Sequence, residues 1–176
     1  MKTPDLERIL SNILKDKVNF LGVFARDEIP TIINNSKSEF YPACFVANTD
    51  PSSEPGTHWV AFFLESPTKI EFFDSYGFHP SVYGFTQKVT TYNHFQFQTL
   101  KSTVCGQYCI FFLYSRSICC RSIETHFSKS NLNWNDSKVD KWVRSIHSNS
   151  HLPSHPCTTS HCIQSCTCYC TFSLKK

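Results

Sequence analysis

The sequence predicts an α+β domain. Three observations lead to this class: an amphipathic helix near the N-terminus, several apolar strand-like runs in the middle, and two helical patterns after them. The 176 residues suffice for one domain with a buried core, and a content of 40% hydrophobic and 15% aromatic residues excludes a disordered chain.

The first helix is marked by apolar residues at helical spacing. Thr3 is expected as its N-cap and Pro4 as its first helical residue, and its apolar face consists of Leu6, Ile9, Leu10, Ile13 and Leu14. Residues 20–30 are interpreted as a connection anchored by Phe20 and Phe24.

Strand-like segments follow. Residues 43–48 are apolar and β-prone, and residues 58–65 and 69–75 are apolar runs joined by a short Ser-Pro-Thr turn. The latter two are expected to form a central hairpin that is buried on both faces. Residues 94–100 alternate aromatic and polar side chains, which predicts a half-buried strand.

Two helices are predicted after the strands. Residues 105 to about 120 begin with a helix that is apolar nearly all round, which is typical of the buried centre of a domain. The last helix is amphipathic and is opened by Asn135 and Asp136, with an apolar face of Val139, Trp142, Val143 and Ile146.

A change of composition marks a boundary. Residues 1–147 form the predicted domain, whereas residues 148–176 are rich in Ser, Thr, His, Pro and Cys without periodicity and are expected to be a disordered tail. The spacing of the His and Cys residues in the tail matches neither paired CxxC motifs nor a C2H2 pattern, so no metal is predicted. The candidate ligands are His155, Cys157, His161, Cys162, Cys166, Cys168 and Cys170.

Charge and motifs exclude several functions. The net charge of +3 is small, and the basic residues are scattered along the chain, which permits weak DNA contact without predicting it. The sequence contains no glycine-rich phosphate-binding motif. The longest apolar stretch, 109–114, is too short to cross a membrane, and the N-terminus does not look like a secretory signal. We therefore expect a nuclear or cytoplasmic monomer with reduced thiols and no membrane contact.

Cys105 is the strongest candidate nucleophile. It lies at the predicted start of the buried helix, where backbone amides and the helix dipole favour a thiolate, and its own amide could donate to an oxyanion. Gly106 would let a substrate backbone approach the sulfur. A buried structural cysteine is the alternative, and it describes Cys109 better.

His58 and Asp74 lie at matching ends of the predicted hairpin. The start of one antiparallel strand faces the end of the next; His58 lies nine residues before Pro67 and Asp74 seven residues after it. Gln98, seven residues before Cys105, could supply a neutral oxyanion donor. Taken alone, His58 is typical of a hydrogen-bonded histidine at a strand end, and Gln98 is typical of an exposed residue on a half-buried strand. Gln96 lies on the same face and is the alternative candidate for the oxyanion donor.

Together these motifs resemble the adenovirus protease (adenain) family, which shares a clan with the Ulp-type SUMO proteases. The resemblance rests on Gly-Thr-His-Trp at 56–59, Phe-Asp-Ser-Tyr-Gly at 73–77, Gln98, and Val-Cys-Gly at 104–106, and it covers roughly residues 1–147. It implies a mixed central sheet packed on a buried helix that carries the nucleophile at its N-terminus.

The same resemblance implies roles for individual residues. His58 would be the general base, Asp74 the acid that orients it, Cys105 the nucleophile and Gln98 the oxyanion donor. Trp59 matches the aromatic residue that follows the histidine and is expected to contact substrate. The chain would then be a cysteine endopeptidase that cleaves capsid-like precursor proteins after small residues.

Departures from the viral enzymes favour the proteases of Maverick or Polinton transposons. The viral family typically has Glu where this chain has Asp74, and no cysteine for a peptide cofactor lies between Asp74 and Cys105, so no cofactor is expected. Asp74-Ser75 is closer to the Ulp pattern, but the Asn-Gly-x-Asp stretch before the nucleophile is absent. A Ulp-type isopeptidase and an inactive binding module remain alternatives.

Overall fold

The computed structural model describes residues 1–35, 38–85, 89–119 and 122–148. Within them the chain forms the α+β domain that the sequence predicts. The helices are α1 (Thr3–Ile13), α2 (Ile29–Asn35), α3 (Cys105–Tyr114) and α4 (Leu132–Ser148), and the strands are β1 (Asn19–Phe24), β2 (Ala43–Asn48), β3 (Trp59–Ser66), β4 (Lys69–Phe73) and β5 (Thr91–Tyr92).

The five strands form one mixed sheet in the order β1-β2-β3-β4-β5. The outer pairs are parallel, whereas β2–β3 and β3–β4 are antiparallel, so the predicted central hairpin is confirmed. Side chains of β3 alternate between two cores: Ala61 and Phe63 point to the helical side, and Val60, Phe62 and Leu64 to the other. Both faces are therefore covered, which explains the nearly continuous apolar runs.

Helix α3 is the centre of the domain. It begins at Cys105, nine of its ten residues are buried, and it packs against β3, α1 and α4. The helix carries apolar side chains on all of its faces because these elements surround it. A π-helical segment, Ser115–Cys119, continues it.

Strand β1 lies where the sequence predicts a connection, at residues 20–30. This strand lies at the edge of the sheet, and its register with β2 shifts between Phe20 and Val23. Gly22, with φ +126°, interrupts the regular backbone inside that interval. The irregular pairing removes the alternation by which a half-buried strand is recognised.

The predicted strand at 94–100 is wrong. The segment is irregular, and only Thr91–Tyr92 just before it forms a strand. Phe97 and Gln98 are consecutive yet both fully buried, which an alternating strand does not allow, and both backbone amides donate to the Ser75 carbonyl at 2.8 and 3.1 Å. The segment is therefore hydrogen-bonded to the chain just after the end of β4.

Two helix starts also differ from expectation. Lys2, not Thr3, is the N-cap of α1. Helix α4 starts at Leu132, earlier than expected, because the Asn131 side chain accepts the Trp134 amide at 3.1 Å, while Asn135 is buried inside the helix.

The predicted boundary at residue 147 falls within the last turn of α4, and the tail from residue 149 onward lies outside the described residues. The boundary and the tail therefore remain predictions. Within the part of the chain that the structure describes, no helix has the length and apolar character needed to cross a membrane.

The core on the side of the sheet away from α3 should contribute strongly to the free energy of unfolding. Phe62 is fully buried, with ring centroids of Phe45, Phe72 and Phe85 at 4.7, 5.1 and 5.4 Å. We expect Phe62→Ala to lower the free energy of unfolding by about 3–5 kcal/mol in urea denaturation. Phe40→Ala, at a side chain that is 40% exposed, should cost less than about 1 kcal/mol. Equal losses would contradict this packing.

Candidate active site

The hairpin brings His58 and Asp74 together. The pairing of Ala61 with Phe73, continued by one step, places Asp74 opposite Val60, two residues from His58. The His58 Nε2 and Asp74 Oδ1 atoms are 2.7 Å apart, and the two residues are 6% and 0% exposed. Counting outward from the turn predicts a small offset between His58 and Asp74, and the strand pairing gives an offset of two residues.

The Asp74 carboxylate is held by four donors. Besides His58, the amides of Tyr76 and Phe78 donate at 2.9 and 3.0 Å, and the Tyr83 hydroxyl donates at 2.8 Å. The Asn93 side chain spans the Asp74 backbone, accepting from its amide at 2.9 Å and donating to its carbonyl at 2.6 Å. A fully buried carboxylate needs such partners, because desolvation of an unpaired charge is costly.

Cys105 lies at the first turn of α3, 8% exposed, and its thiol is close enough to the His58 ring for the two groups to interact. Because Asp74 binds Nε2, Nδ1 is the ring nitrogen left to exchange a proton with the sulfur.

Electrostatics favour the charged form of this pair. Burial raises the pKa of the Cys105 thiol, but hydrogen bonding and charge from His58, with the backbone amides of Trp59 and Gly106, bring that pKa below its ordinary value. Burial lowers the pKa of His58, but Asp74 and Cys105 outweigh this effect and raise it to about 9. Both shifts favour the thiolate–imidazolium form of the pair.

The other two cysteines whose surroundings the structure describes are different. Cys44 and Cys109 are fully buried, and burial raises the pKa of each thiol well above its ordinary value. Cys109 is thus the structural cysteine that the sequence indicated.

Gln98 lies beside this group, but it is entirely buried. Its Oε1 accepts the Ser75 hydroxyl at 2.6 Å, and its Nε2 donates to the Ser102 carbonyl at 2.9 Å and to the Tyr76 hydroxyl at 3.4 Å. Gln96, the competing candidate, is only partly buried and donates to the Gln98 carbonyl at 2.8 Å. The structure thus places Gln98, rather than Gln96, in the network next to the site.

Trp59 and Gly106 contact the N-terminal segment. The Trp59 Nε1 atom donates to the Met1 carbonyl at 3.3 Å. A Cβ added to Gly106 would lie 3.2 Å from the Met1 Cβ and 3.4 Å from the Leu6 Cδ2. The absence of a side chain at Gly106 therefore lets α1 pack closely on α3, and the substrate contacts expected of both residues remain predictions.

Sequence reasoning missed Tyr76, Tyr83 and Asn93. The Tyr76 ring stacks on His58, with centroids 4.5 Å apart and planes 22° apart. One signal for this loop was available in Asp-Ser-Tyr-Gly: Gly77 has φ +76° and donates its amide to the Asp74 carbonyl at 2.9 Å, which closes a tight turn. Nothing in the sequence indicates the long-range bonds of Tyr83 and Asn93.

A cavity of about 260 Å³ adjoins Trp59. Its walls come from the start of α1, the end of β1 and the loop before His58, and include Glu28, Asp50 and Glu54. Across residues 1–35, 38–85, 89–119 and 122–148 no group of three or more His, Cys, Asp or Glu side chains could hold a metal ion.

Two solved structures with a similar fold have low sequence identity to this chain. No family model and no curated protein matches the chain. The central domain of the uncharacterised Lpg1148 protein from Legionella pneumophila is 14% identical with a TM-score of 0.47, covering 85% of this chain and 98% of its own. The yeast C-terminal Ulp1 protease domain, solved in complex with Smt3, the yeast orthologue of SUMO, is 10% identical with a TM-score of 0.47, covering 81% and 74%.

Thiol reactivity should distinguish Cys105 from Cys44 and Cys109. We expect the alkylation of Cys105 by iodoacetamide to begin at a lower pH than that of an ordinary cysteine, whose pKa is about 8.5, while Cys44 and Cys109 react only after unfolding. His58→Ala should move the alkylation profile of Cys105 to higher pH, because the imidazolium that lowers its pKa is lost. Peptide mapping by mass spectrometry measures each site, and an unshifted profile in the variant would contradict the ion pair.

Proposed function

We propose that the chain is a cysteine endopeptidase in which Cys105, His58 and Asp74 form the catalytic triad. The observation that carries this proposal is the buried, charge-paired arrangement of a low-pKa thiol at the start of a helix beside a histidine that is oriented by a carboxylate. A nucleophile, a base within hydrogen-bond reach and a third group orienting the base are the parts that covalent acyl transfer requires.

In the first half-reaction the Cys105 thiolate attacks the peptide carbonyl carbon, and the carbonyl electron pair moves onto oxygen. The oxyanion lies near the N-terminus of α3, whose first backbone amides are not used inside the helix. As the oxyanion collapses, the C–N bond breaks, and His58 gives its proton to the leaving nitrogen. A thioester on Cys105 and a free amine result.

Water completes the cycle. His58, now neutral, accepts a proton from a water molecule that attacks the thioester, and the C–S bond breaks to release the carboxyl product and the thiolate. Asp74 stabilises the imidazolium that forms again, and its contact with Nε2 keeps Nδ1 directed at the sulfur.

The proposed substrates are capsid-like precursor proteins cleaved after small residues, as in Maverick or Polinton proteases. The resemblance of the sequence motifs to the adenain family supports this class. Cys105 and His58 are 8% and 6% exposed, so a substrate must reach a largely buried sulfur.

Two substrates distinguish the proposed function from its nearest alternative. Purified protein is incubated with a glycine-rich precursor and, separately, with a ubiquitin-like fusion, and products are identified by mass spectrometry. Cleavage of the precursor that is lost in Cys105→Ala supports the endopeptidase, whereas cleavage of the fusion alone indicates a Ulp-type isopeptidase. Cleavage that persists in Cys105→Ala, or no cleavage of either substrate, would contradict the triad.

The pH profile of kcat/KM should be bell-shaped. Activity should rise with pH as Cys105 becomes a thiolate, and this limb should lie below the pH at which an ordinary cysteine ionises, because the pKa of Cys105 is lowered. It should fall as the pH passes about 9, because His58 then loses the proton that the leaving amine needs. An initial-rate series with one peptide substrate measures both limbs. A profile whose basic limb lies near 6.5, the ordinary value for histidine, would contradict the stabilised imidazolium.

Removal of the Gln98 side chain should reduce activity strongly. We expect Gln98→Ala to lower kcat by about 10²–10³-fold, the usual effect of a disturbed oxyanion hole, because the Gln98 amide is bonded to the Ser75 and Tyr76 hydroxyls beside His58. Gln96→Ala is the matched control, and it should lower kcat far less because the one hydrogen bond of the Gln96 side chain among the described residues goes to the Gln98 carbonyl. Similar effects of the two variants would argue against a role for the Gln98 amide.

A further inference from the structure

The Gln98 side chain cannot itself contact an oxyanion in the described conformation. The residue is 0% exposed, whereas Cys105 and His58 keep small exposed areas. One Nε2 bond goes to the Ser102 carbonyl at 2.9 Å, and the other goes to the Tyr76 hydroxyl at 3.4 Å. The amide expected to donate to substrate therefore donates to the protein.

Tyr76 is the outer end of this hydrogen-bonded chain. The chain runs from the Ser75 hydroxyl to the Gln98 Oε1, and from the Gln98 Nε2 to the Tyr76 oxygen. Since that oxygen accepts, its proton points elsewhere, and no acceptor for it occurs among the described residues. Tyr76 is only partly buried, unlike Gln98, so part of this residue is open to solvent.

The Tyr76 ring lies directly against the imidazole of the proposed base. The Tyr76 ring lies nearly parallel to the His58 imidazole at 4.5 Å, and its backbone amide is fixed by Asp74 at 2.9 Å. Burial and the negative charge on Cys105 raise the pKa of Tyr76, which keeps the hydroxyl protonated at neutral pH. A neutral donor next to a thiolate nucleophile is suited to an oxyanion.

We propose that the Tyr76 hydroxyl is the side-chain donor of the oxyanion hole, and that Gln98 is a positioning residue that acts through it. The inference rests on the proposed peptidase function. When Cys105 attacks, the carbonyl electron pair moves to oxygen, and the Tyr76 hydroxyl donates a hydrogen bond to that oxygen without transferring its proton. When the carbonyl re-forms, the bond weakens and the leaving nitrogen takes the His58 proton.

Two reagents separate this role from simple support of His58. A peptide aldehyde ending in glycinal adds to Cys105 and forms a tetrahedral adduct whose oxygen occupies the oxyanion position. Iodoacetamide alkylates the same sulfur without forming an oxyanion, so its rate reports only the thiolate and its histidine. Tyr76→Phe keeps the ring on His58 and removes the hydroxyl alone.

We expect Tyr76→Phe to weaken aldehyde binding at least tenfold and to lower kcat by about 10²–10³-fold, while the alkylation rate of Cys105 stays within twofold of wild type. Tyr92→Phe, the same change on β5 away from the site, should match wild type in all three measurements. The effects of Tyr76→Phe and Gln98→Ala should not add in the double variant, because the two side chains act in series.

Aldehyde binding by Tyr76→Phe at wild-type affinity would overturn the donor role while leaving the peptidase function intact. A parallel loss of alkylation would also overturn it, because Tyr76 would then act on His58. Failure of the wild-type protein to bind the aldehyde or cleave any peptide would instead contradict the proposed function itself, so the two failures are distinguishable.

Discussion

The buried carboxylate of Asp74 is the constraint on which the site depends. A charge with no solvent contact is tolerable only with several donors, and here a histidine, two backbone amides and a tyrosine hydroxyl supply them. These donors fix the loop after β4, and that loop carries Tyr76 onto the face of His58. Satisfying one buried charge therefore also orders the base and the aromatic ring beside it.

The fold delivers the nucleophile to this group independently. Helix α3 is surrounded by the sheet and two helices, so its position is set by packing, and Cys105 lies at its first turn next to the start of β3. The backbone amide of Trp59 and the ring of His58, neighbours in sequence, both act on its sulfur. The site thus forms where a rigid helix start meets the end of a hairpin, which is how precise catalytic geometry is usually supported.

The sequence predicted the features that local patterns encode. The buried helix, the hairpin and the proximity of His58 to Asp74 follow from apolar runs and from counting outward from one turn. Local patterns do not predict the segments whose structure is set by tertiary contacts. Strand β1 is interrupted at Gly22, and residues 94–100 are held by hydrogen bonds to the Ser75 carbonyl rather than by pairing in a sheet. The Tyr83 bond to Asp74 and the complete burial of Gln98 arise from such contacts as well.

In the proposed resting state, His58 is an imidazolium paired with the Cys105 thiolate. Nitrogen-15 NMR of histidine-labelled protein measures this directly, with the His58 signals assigned by their loss in His58→Gln. At pH 7.5 we expect both ring nitrogens of His58 to be protonated, with the ring titrating near pH 9 and at lower pH in Cys105→Ala. A neutral His58 ring at pH 7.5 in the wild-type protein would contradict the account.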